Sequence, residues 1–202
     1  MGRRSIEKER IRDPKKRKAW IDRIAPVFLE KGFTQYNMDE LSKELGCSKA
    51  TLYKHFESHK EIVSILLSEK IMNLQLFQQI LHEDRESYED RYKRAVTYVS
   101  TELADVSNVF LSQLKTVYPD IWSLVNQFKQ MAIGVLKEFY TKGIQAEVFH
   151  PLNPEMMALS DELFFDVLTD PQFLQSKGMT LKGAFDDYFE MRFNGILRSS
   201  ET

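Results

Sequence analysis

The stretch "NMDELSKELGCSKATLYKHF", residues 37–56, predicts two short helices joined by a tight turn. Asn37 followed three residues later by Glu40 is the pattern of a capping box, which opens a helix. Gly46 stands where a helix end favours a left-handed residue, and Ser48 can cap the segment that follows. Because short glycine-containing turns join the two helices of a helix-turn-helix, this stretch predicts that motif.

A longer helix is predicted directly before this pair. Asp13 followed by Pro14 is typical of an N-cap with proline at the first helical position, and apolar residues then recur at helical spacing up to Gly32. The apolar sides of the first two helices are expected to pack together, which holds the polar side of the third helix outward, where it can enter a major groove. The packed residues are expected to be Met38, Leu41 and Leu45 against Ile24, Phe28 and Phe33, and the outward side to be Lys49, Thr51, Lys54 and His55.

The composition indicates a globular all-α protein. The chain of 202 residues is 43% hydrophobic and 29% charged, and its 8 Gly and 6 Pro leave few positions for tight hairpins. Cys47 is the single cysteine, and no run of 18 apolar residues is present to span a bilayer. The basic N-terminus lacks the apolar stretch of a secretory signal. A cytoplasmic protein with no membrane partner is therefore expected.

The net charge of −2 conceals an asymmetry along the chain. Residues 1–60 contain 15 Lys and Arg against 9 Asp and Glu, a net charge of +6, whereas residues 61–202 contain 13 against 21, a net charge of −8. A basic domain joined to an acidic one implies that only the first part meets a polyanion. Residues 1–13 are expected to be a basic arm that either adds DNA contacts or acts as a solubility tail.

The segment from residue 24 to residue 63 resembles the DNA-binding domain of the TetR family of transcriptional regulators. The resemblance implies a DNA-binding domain over residues 14–70, with the helix-turn-helix at about 37–56, and a helical ligand-binding and dimerisation domain over residues 71–202. One departure is that His59 stands where the family usually has a lysine that contacts phosphate, with Lys60 one place later. The positions that carry the resemblance are Phe28, Gly32, Phe33, Met38, Leu41, Gly46, Ser48, Thr51, Leu52, Tyr53, His55 and Phe56.

The helix over residues 48–55 is the recognition helix that this resemblance implies, although an arbitrary helix of such composition would more often be a solvated surface. Lys49 and Ala50, near its N-terminus, are expected to lie nearest the base edges, because small and basic side chains fit there. Hydroxyl and basic side chains further along suit phosphate oxygens. The predicted DNA contacts are Asn37, Ser48, Lys49, Ala50, Thr51, Tyr53, Lys54, His55, His59 and Lys60 of double-stranded DNA.

The second domain contains two helices with more apolar residues than one core-facing stripe needs. One begins at Asn153 and Pro154, and the other is the last helix of the chain. Helices that are apolar on two sides bury the second side against a partner, and a second copy of the chain is the simplest one. The sequence therefore predicts a homodimer, with an interface at Leu159, Leu163, Phe164, Val167, Phe185, Phe189, Phe193 and Ile196.

Aromatic residues are concentrated in the middle of the second domain. Such residues are more often plain core than a ligand pocket, but the family resemblance implies a pocket here, with an apolar lining. A small hydrophobic or aromatic effector is expected to release the protein from its operator, and an activator remains the alternative to a repressor. The predicted pocket residues are Phe77, Tyr92, Tyr98, Phe110, Tyr118, Trp122, Phe128 and Met131.

No catalytic or metal-binding pattern is present in the sequence. HExxH, GxSxG, a glycine-rich phosphate loop and paired Cys/His ligands are all missing, and the four histidines are scattered. We therefore expect that the protein is not an enzyme and that it has no catalytic residue, cofactor or metal site. A helical bundle that binds lipids or a protein without DNA is the other alternative, and it would leave the basic first sixty residues unexplained.

Overall fold

The computed structural model describes residues 13–196. These residues form eleven α-helices and no β-strand, which confirms the predicted all-α class. Of the predicted basic arm, residues 1–12 lie outside the described residues. The helices are α1 (Pro14–Lys31), α2 (Met38–Glu44), α3 (Lys49–His55), α4 (His59–Leu74), α5 (Phe77–Leu81), α6 (Tyr88–Leu103), α7 (Asn108–Val117), α8 (Pro119–Gln145), α9 (Pro154–Leu168), α10 (Pro171–Ser176) and α11 (Leu181–Ile196).

The capping residues fix the ends of the first three helices as the sequence predicts. The Asp13 side chain accepts hydrogen bonds from two amides of the first turn of α1. Asn37 and Glu40 form a complete capping box at α2, with 2.7 Å between the Asn37 amide nitrogen and Glu40 Oε2. Gly46 has a φ of 65°, and the Ser48 hydroxyl accepts from the amide of Thr51. Two short helices with a sharp turn between them are the result.

The first three helices bury the apolar residues that the sequence assigned to their contact. Met38, Leu41 and Leu45 are buried together with Ile24 and Phe28, and so is Phe33. These residues belong to one apolar cluster with members from all eleven helices. The N-terminal helices are therefore packed on the rest of the molecule.

Ser58 followed three residues later by Glu61 predicts a capping box that opens one long helix through about His82, and the predicted length is wrong. The helix stops at Leu74, and α5 begins three residues later at Phe77. The change of direction lets Phe77 and Leu81 become buried while α5 packs along α6. No glycine or proline marks this break. The predicted domain division between residues 70 and 71 falls inside α4.

The turn after α1 is held by α7. Gln113 Oε1 accepts hydrogen bonds from the amides of Phe33, at 2.6 Å, and Thr34, at 3.0 Å. Gly32 in the same turn has a φ of 79°, and a Cβ atom there would collide with the Gln113 side chain. The amide of Ser107 also donates to the Leu29 carbonyl oxygen at 2.9 Å. Glycine is favoured at residue 32 because of this left-handed φ, and a Cβ atom would also displace the Gln113 side chain from its hydrogen bonds.

Long helices of the second part surround an aromatic interior. α8 packs on α7 and α9, and α11 packs on α6 and α9. α10 lies between α7 and α9 and begins at Pro171 after an Asp170 cap. Within residues 13–196, no helix combines the length and apolar character needed to cross a bilayer.

Candidate nucleic-acid interface and cavity

The outward side of α3 carries basic and small side chains. Lys49, Ala50, Tyr53 and Lys54 are exposed, and Thr51 is partly exposed. Because α3 is seven residues long and is backed by the buried Leu52 and Phe56, the exposed residues form one continuous surface. This surface is a candidate site for contact with a polyanion.

Two contacts orient the N-terminal end of this surface. The Lys49 ammonium lies 2.7 Å from Asp39 Oδ1, and this hydrogen bond raises the pKa of Lys49. The Thr51 and Ser48 hydroxyl oxygens are 2.8 Å apart. Asn37 is exposed next to them, although its Oδ1 is used to cap α2. The lysine is thus charged and held at the first turn of α3 by a surface ion pair, which phosphate groups can replace at small cost.

His55 does not face outward as the sequence interpretation had it. Its side chain is only 6% exposed and meets the Trp20 ring edge-on, with 5.1 Å between the ring centroids. Burial and the nearby Lys16 ammonium lower the pKa of His55. The prediction failed because α1 covers the side of α3 on which residue 55 falls. His55 is a packing residue between these helices.

Arg17 on α1 is a structural residue that the sequence analysis did not single out. One guanidinium nitrogen donates to the His55 carbonyl oxygen at 2.5 Å, and the other pairs with Glu61 Oε1 at 2.8 Å. The guanidinium also lies over the Phe56 ring, 4.9 Å from its centroid. Arg17 therefore connects α1 with the end of α3 and the start of α4.

His59 and Lys60 lie where α4 meets α8. His59 Nδ1 is 3.0 Å from the Tyr118 hydroxyl, and its ring packs against Phe28 and Phe33. Burial lowers the pKa of His59. Lys60 is exposed, and its ammonium pairs with Asp120 at 2.6 Å. Their predicted role as DNA contacts gains no support from this placement, because His59 is directed into the protein and Lys60 towards α8.

A cavity of about 140 Å³ lies inside the second part of the molecule. Four of the eight predicted pocket residues line it: Phe77, Tyr92, Phe110 and Phe128. Its remaining wall is mainly aliphatic, and the whole wall draws on seven helices, which are α4, α5, α6, α7, α8, α9 and α11. The wall also includes Phe165, Phe185 and Phe189. These three had been missed as pocket residues because the sequence does not show which side of α9 and α11 faces the interior.

The other four predicted pocket residues lie outside the cavity wall. Tyr98 donates to the Asn73 carbonyl oxygen at 2.9 Å, and Tyr118 stacks on Phe33 with 5.6 Å between the centroids. Trp122 is buried, with the Lys115 ammonium 5.8 Å from its ring centroid. Met131 Sδ accepts a hydrogen bond from the Gln78 side chain. Each of these side chains packs between helices, so the assignment to the pocket is corrected.

The predicted dimer residues divide into an exposed group and a buried group. Leu159, Leu163 and Val167 are exposed on α9, and together with the exposed Met156 they form an apolar stripe along that helix, which we call the α9 stripe. They recur at intervals of three and four residues, as one face of a helix requires. The α9 stripe is therefore available to a partner.

The residues predicted on α11 are placed differently. Phe185, Phe189 and Ile196 are buried within the chain itself, so their assignment to an interface is corrected. Phe185 and Phe189 account for the excess apolar character of α11, because they line the cavity. The partly buried Phe193 stacks on Tyr92 at 5.7 Å. Phe164 on α9, also partly buried, stacks on Tyr188 with 3.7 Å between the ring centroids.

Comparisons with known proteins agree with this geometry. Residues 21–64, which include α2 and α3, match the family model of bacterial regulatory proteins, tetR family. Over these residues the chain is similar to the DNA-binding domain of the TetR family. The family and the relatives found are transcriptional regulators, not enzymes.

Two curated relatives and two solved structures illustrate the extent of the likeness. The uncharacterised HTH-type transcriptional regulator YvaF of Bacillus subtilis is 20% identical, over 85% of this chain and 90% of its own length. The biofilm operon icaADBC HTH-type negative transcriptional regulator IcaR of Staphylococcus aureus is 22% identical, over 71% of this chain and 92% of its own length.

Among solved structures, a transcriptional regulator of Saccharomonospora viridis in complex with choline has a TM-score of 0.72 and 18% identity, covering 93% of this chain and 100% of that one. The ketosteroid regulator KstR2 of Mycobacterium tuberculosis has a TM-score of 0.61 and 16% identity, covering 93% and 98%. These structural likenesses establish the fold of TetR regulators for nearly the whole chain.

Proposed function

We propose that this protein is a homodimeric repressor of the TetR family that binds a pseudo-palindromic operator and is released from it by a small hydrophobic or aromatic effector. The observation that carries the proposal is the outward side of α3, where Lys49, Ala50, Tyr53 and Lys54 are exposed on a helix held rigidly by the buried Leu52. Because it acts on DNA, the protein is placed in the cytoplasm.

Direct readout is assigned to the first turn of α3. Lys49 can donate to guanine O6 and N7, and Ala50 leaves room for the helix to approach the base edges. Thr51, Tyr53 and Lys54 are assigned to phosphate oxygens, which fix the register of the helix. The net charge of +6 over residues 1–60 supports attraction to the DNA backbone.

Dimerisation is assigned to the α9 stripe. Exposed leucine and valine side chains along one helix are stabilised when a second copy covers them, and a two-fold axis makes such an interface self-complementary. Two recognition helices related by this axis read half-sites about 34 Å apart. Dimers are typical of the family, which supports the assignment.

Effector binding is assigned to the cavity. The relative from Saccharomonospora viridis was crystallised with choline, which supports a small molecule as effector in this fold. IcaR is described as a negative regulator, which supports repression. The effector acts by favouring a spacing of the two α3 helices that no longer fits the operator, to the extent that it binds that state more tightly.

The DNA assignment is tested by selecting bound sequences from random duplex DNA at a stated salt concentration. We expect a palindromic motif with half-sites one helical turn apart, and loss of the motif when Lys49→Ala and Thr51→Ala are combined. Lys142→Ala together with Thr141→Ala, at the far end of α8, is the matched control. Equal binding of all duplexes by the unmodified protein would refute the proposal.

The dimer assignment is tested by sedimentation at micromolar concentration. Leu163→Asp should give monomers and abolish tight operator binding, because it places a charge in the centre of the α9 stripe. Val109→Asp, at an exposed apolar residue of α7, should leave the dimer intact. A monomeric unmodified protein would contradict the assignment.

A further inference from the structure

The chemistry of the cavity wall restricts the kind of molecule that fits it. Of the 25 described residues that line the cavity, 21 are apolar, and the four with polar side chains are Lys70, Tyr92, Lys129 and Thr169. Whether an effector can be charged depends on where these four direct their polar atoms. Each of them is bonded within the protein.

Both lysines contribute their stems to the wall and bind their ammonium groups elsewhere. Lys129 Nζ lies 2.6 Å from Asp166 Oδ1 and donates to Thr169 Oγ1 at 3.1 Å. Lys70 Nζ lies 2.9 Å from Asp105 and 3.4 Å from Glu102. Each ammonium is thus neutralised by carboxylates, so neither lysine offers an unpaired positive charge to a bound anion.

The two remaining polar side chains are also satisfied. The Thr169 hydroxyl donates to the Phe165 carbonyl oxygen at 2.8 Å while it accepts from Lys129. The Tyr92 hydroxyl lies 3.5 Å from the Tyr140 hydroxyl, which in turn donates to Asp161 at 2.6 Å. Burial raises the pKa of Tyr92, so its phenol stays neutral. The wall consequently presents carbon to the interior.

We propose that the cavity selects a neutral hydrocarbon-like molecule of about the size of one six-membered ring, and that it discriminates against ions of the same size. An ion entering this space loses its hydration and gains no partner, whereas an apolar ring loses nothing by leaving water. An apolar cavity of about 150 Å³ is known to bind benzene, which matches the volume of about 140 Å³ here. The inference rests on the proposed effector site and names its ligand class.

The test uses the full chain without DNA and compares probes of similar size and different charge. Binding of toluene, benzoate and benzylammonium is measured by calorimetry and by the shift in melting temperature. A second pair is choline and its neutral carbon isostere 3,3-dimethylbutan-1-ol, which differ by one charged atom. We expect each neutral probe to bind at least about 10-fold more tightly than its charged counterparts. Equal or tighter binding of any ion, or no binding of toluene, overturns the proposal.

Three variants locate the binding. Ala132→Leu fills the cavity and should reduce toluene affinity at least about 10-fold, while Ala146→Leu, exposed just after α8, should not change it. Lys129→Met keeps the stem and removes the charge, so toluene affinity should stay within about twofold. A large loss of affinity in Lys129→Met would show that the ammonium anchors the ligand and would refute a neutral site. The probe series on the unmodified protein decides the question even if a variant fails to fold.

Failure of this inference is distinguishable from failure of the proposed function. If toluene binds but does not release operator DNA, the effector role is wrong and the ligand class stands. If an ion binds in the cavity and releases the operator, the regulator function stands and the ligand class is wrong.

Discussion

The outward side of α3 takes its residues from one helix of seven residues, whereas the cavity wall takes its residues from seven different helices. On α3, a side chain can be exchanged without disturbing its neighbours, because it faces solvent. In the cavity, the same side chains that define the ligand space also hold the helices together. Under the proposed function, specificity for DNA can therefore vary independently of stability, whereas specificity for an effector cannot.

The largest expected effect tests whether the first three helices and the second part of the molecule share one core. Phe33 follows α1, is fully buried and meets Phe110 and Tyr118 from the second part of the molecule, with centroids 5.8 and 5.6 Å away. Phe33→Ala should lower the free energy of unfolding by about 3–5 kcal/mol. Denaturant unfolding followed by fluorescence and circular dichroism should show one shared transition. Separate transitions for the two signals would mean that the regions fold independently.

A slightly smaller effect should distinguish buried from exposed charge on α9. Asp161 is fully buried, accepts from the Tyr140 and Tyr188 hydroxyls at 2.6 Å, and lies 3.2 Å from the Arg192 guanidinium. Asp161→Asn should cost about 3 kcal/mol, because it leaves the arginine without its counter-charge. Asp166 lies on α9 as well, but it is exposed and pairs with Lys129 of α8. Asp166→Asn should cost less than about 1 kcal/mol. Similar losses in the two unfolding curves would argue against burial as the cause.

On the α3 side, the effect should appear in DNA binding and not in folding. Lys49→Ala should weaken binding to the selected operator about 10- to 100-fold and relax the preference at one base pair, as expected for loss of one bidentate base contact. The melting temperature should change little, since Lys49 is exposed. Lys182→Ala, at a partly exposed ion-paired lysine far along the chain, serves as the control in the same mobility-shift titration. A uniform loss across all sequences would reassign Lys49 to phosphate contact.

The smallest expected effect is a pH dependence of stability that arises at His59, where α4 meets α8. Because burial holds the folded-state pKa of His59 below the unfolded value of about 6.5, the unfolded state takes up a proton first on acidification. The contribution of His59 to stability should therefore be constant above about pH 7 and should decrease as the pH falls below about 6.5. The stability of the His59→Gln variant should decrease less steeply than that of the unmodified protein. Melting curves from pH 7.5 to pH 5 make the comparison, and parallel curves for the unmodified protein and His59→Gln would exclude this histidine.

The predicted features that depend on neighbouring residues are confirmed. The capping box of Asn37 and Glu40, the left-handed Gly46 and the Ser48 cap each act within four residues, so the sequence contains the whole interaction. The break after Leu74 could not be predicted in the same way, because it depends on α5 packing against α6.

Side-chain direction in the predicted sites also depends on distant parts of the chain. His55 is hidden because Trp20 covers it, and that contact joins residues of two helices. Phe185 and Phe189 had the apolar character expected of an interface, and only the packing of α11 on α6 and α9 decides that they face the cavity. Helical periodicity identifies two apolar sides and does not say which neighbour each one meets.

The two amide hydrogen bonds accepted by Gln113 couple the position of α7 to the turn that precedes α2. Phe110 and Leu111 on the same helix line the cavity, and Gln113 follows less than one turn later. The backbone leading into α2 is hydrogen-bonded to this turn of α7, and the missing side chain at Gly32 allows Gln113 to lie close to it. A rotation of α7 about its own axis would therefore displace the turn before α2, and with it the start of the helix-turn-helix.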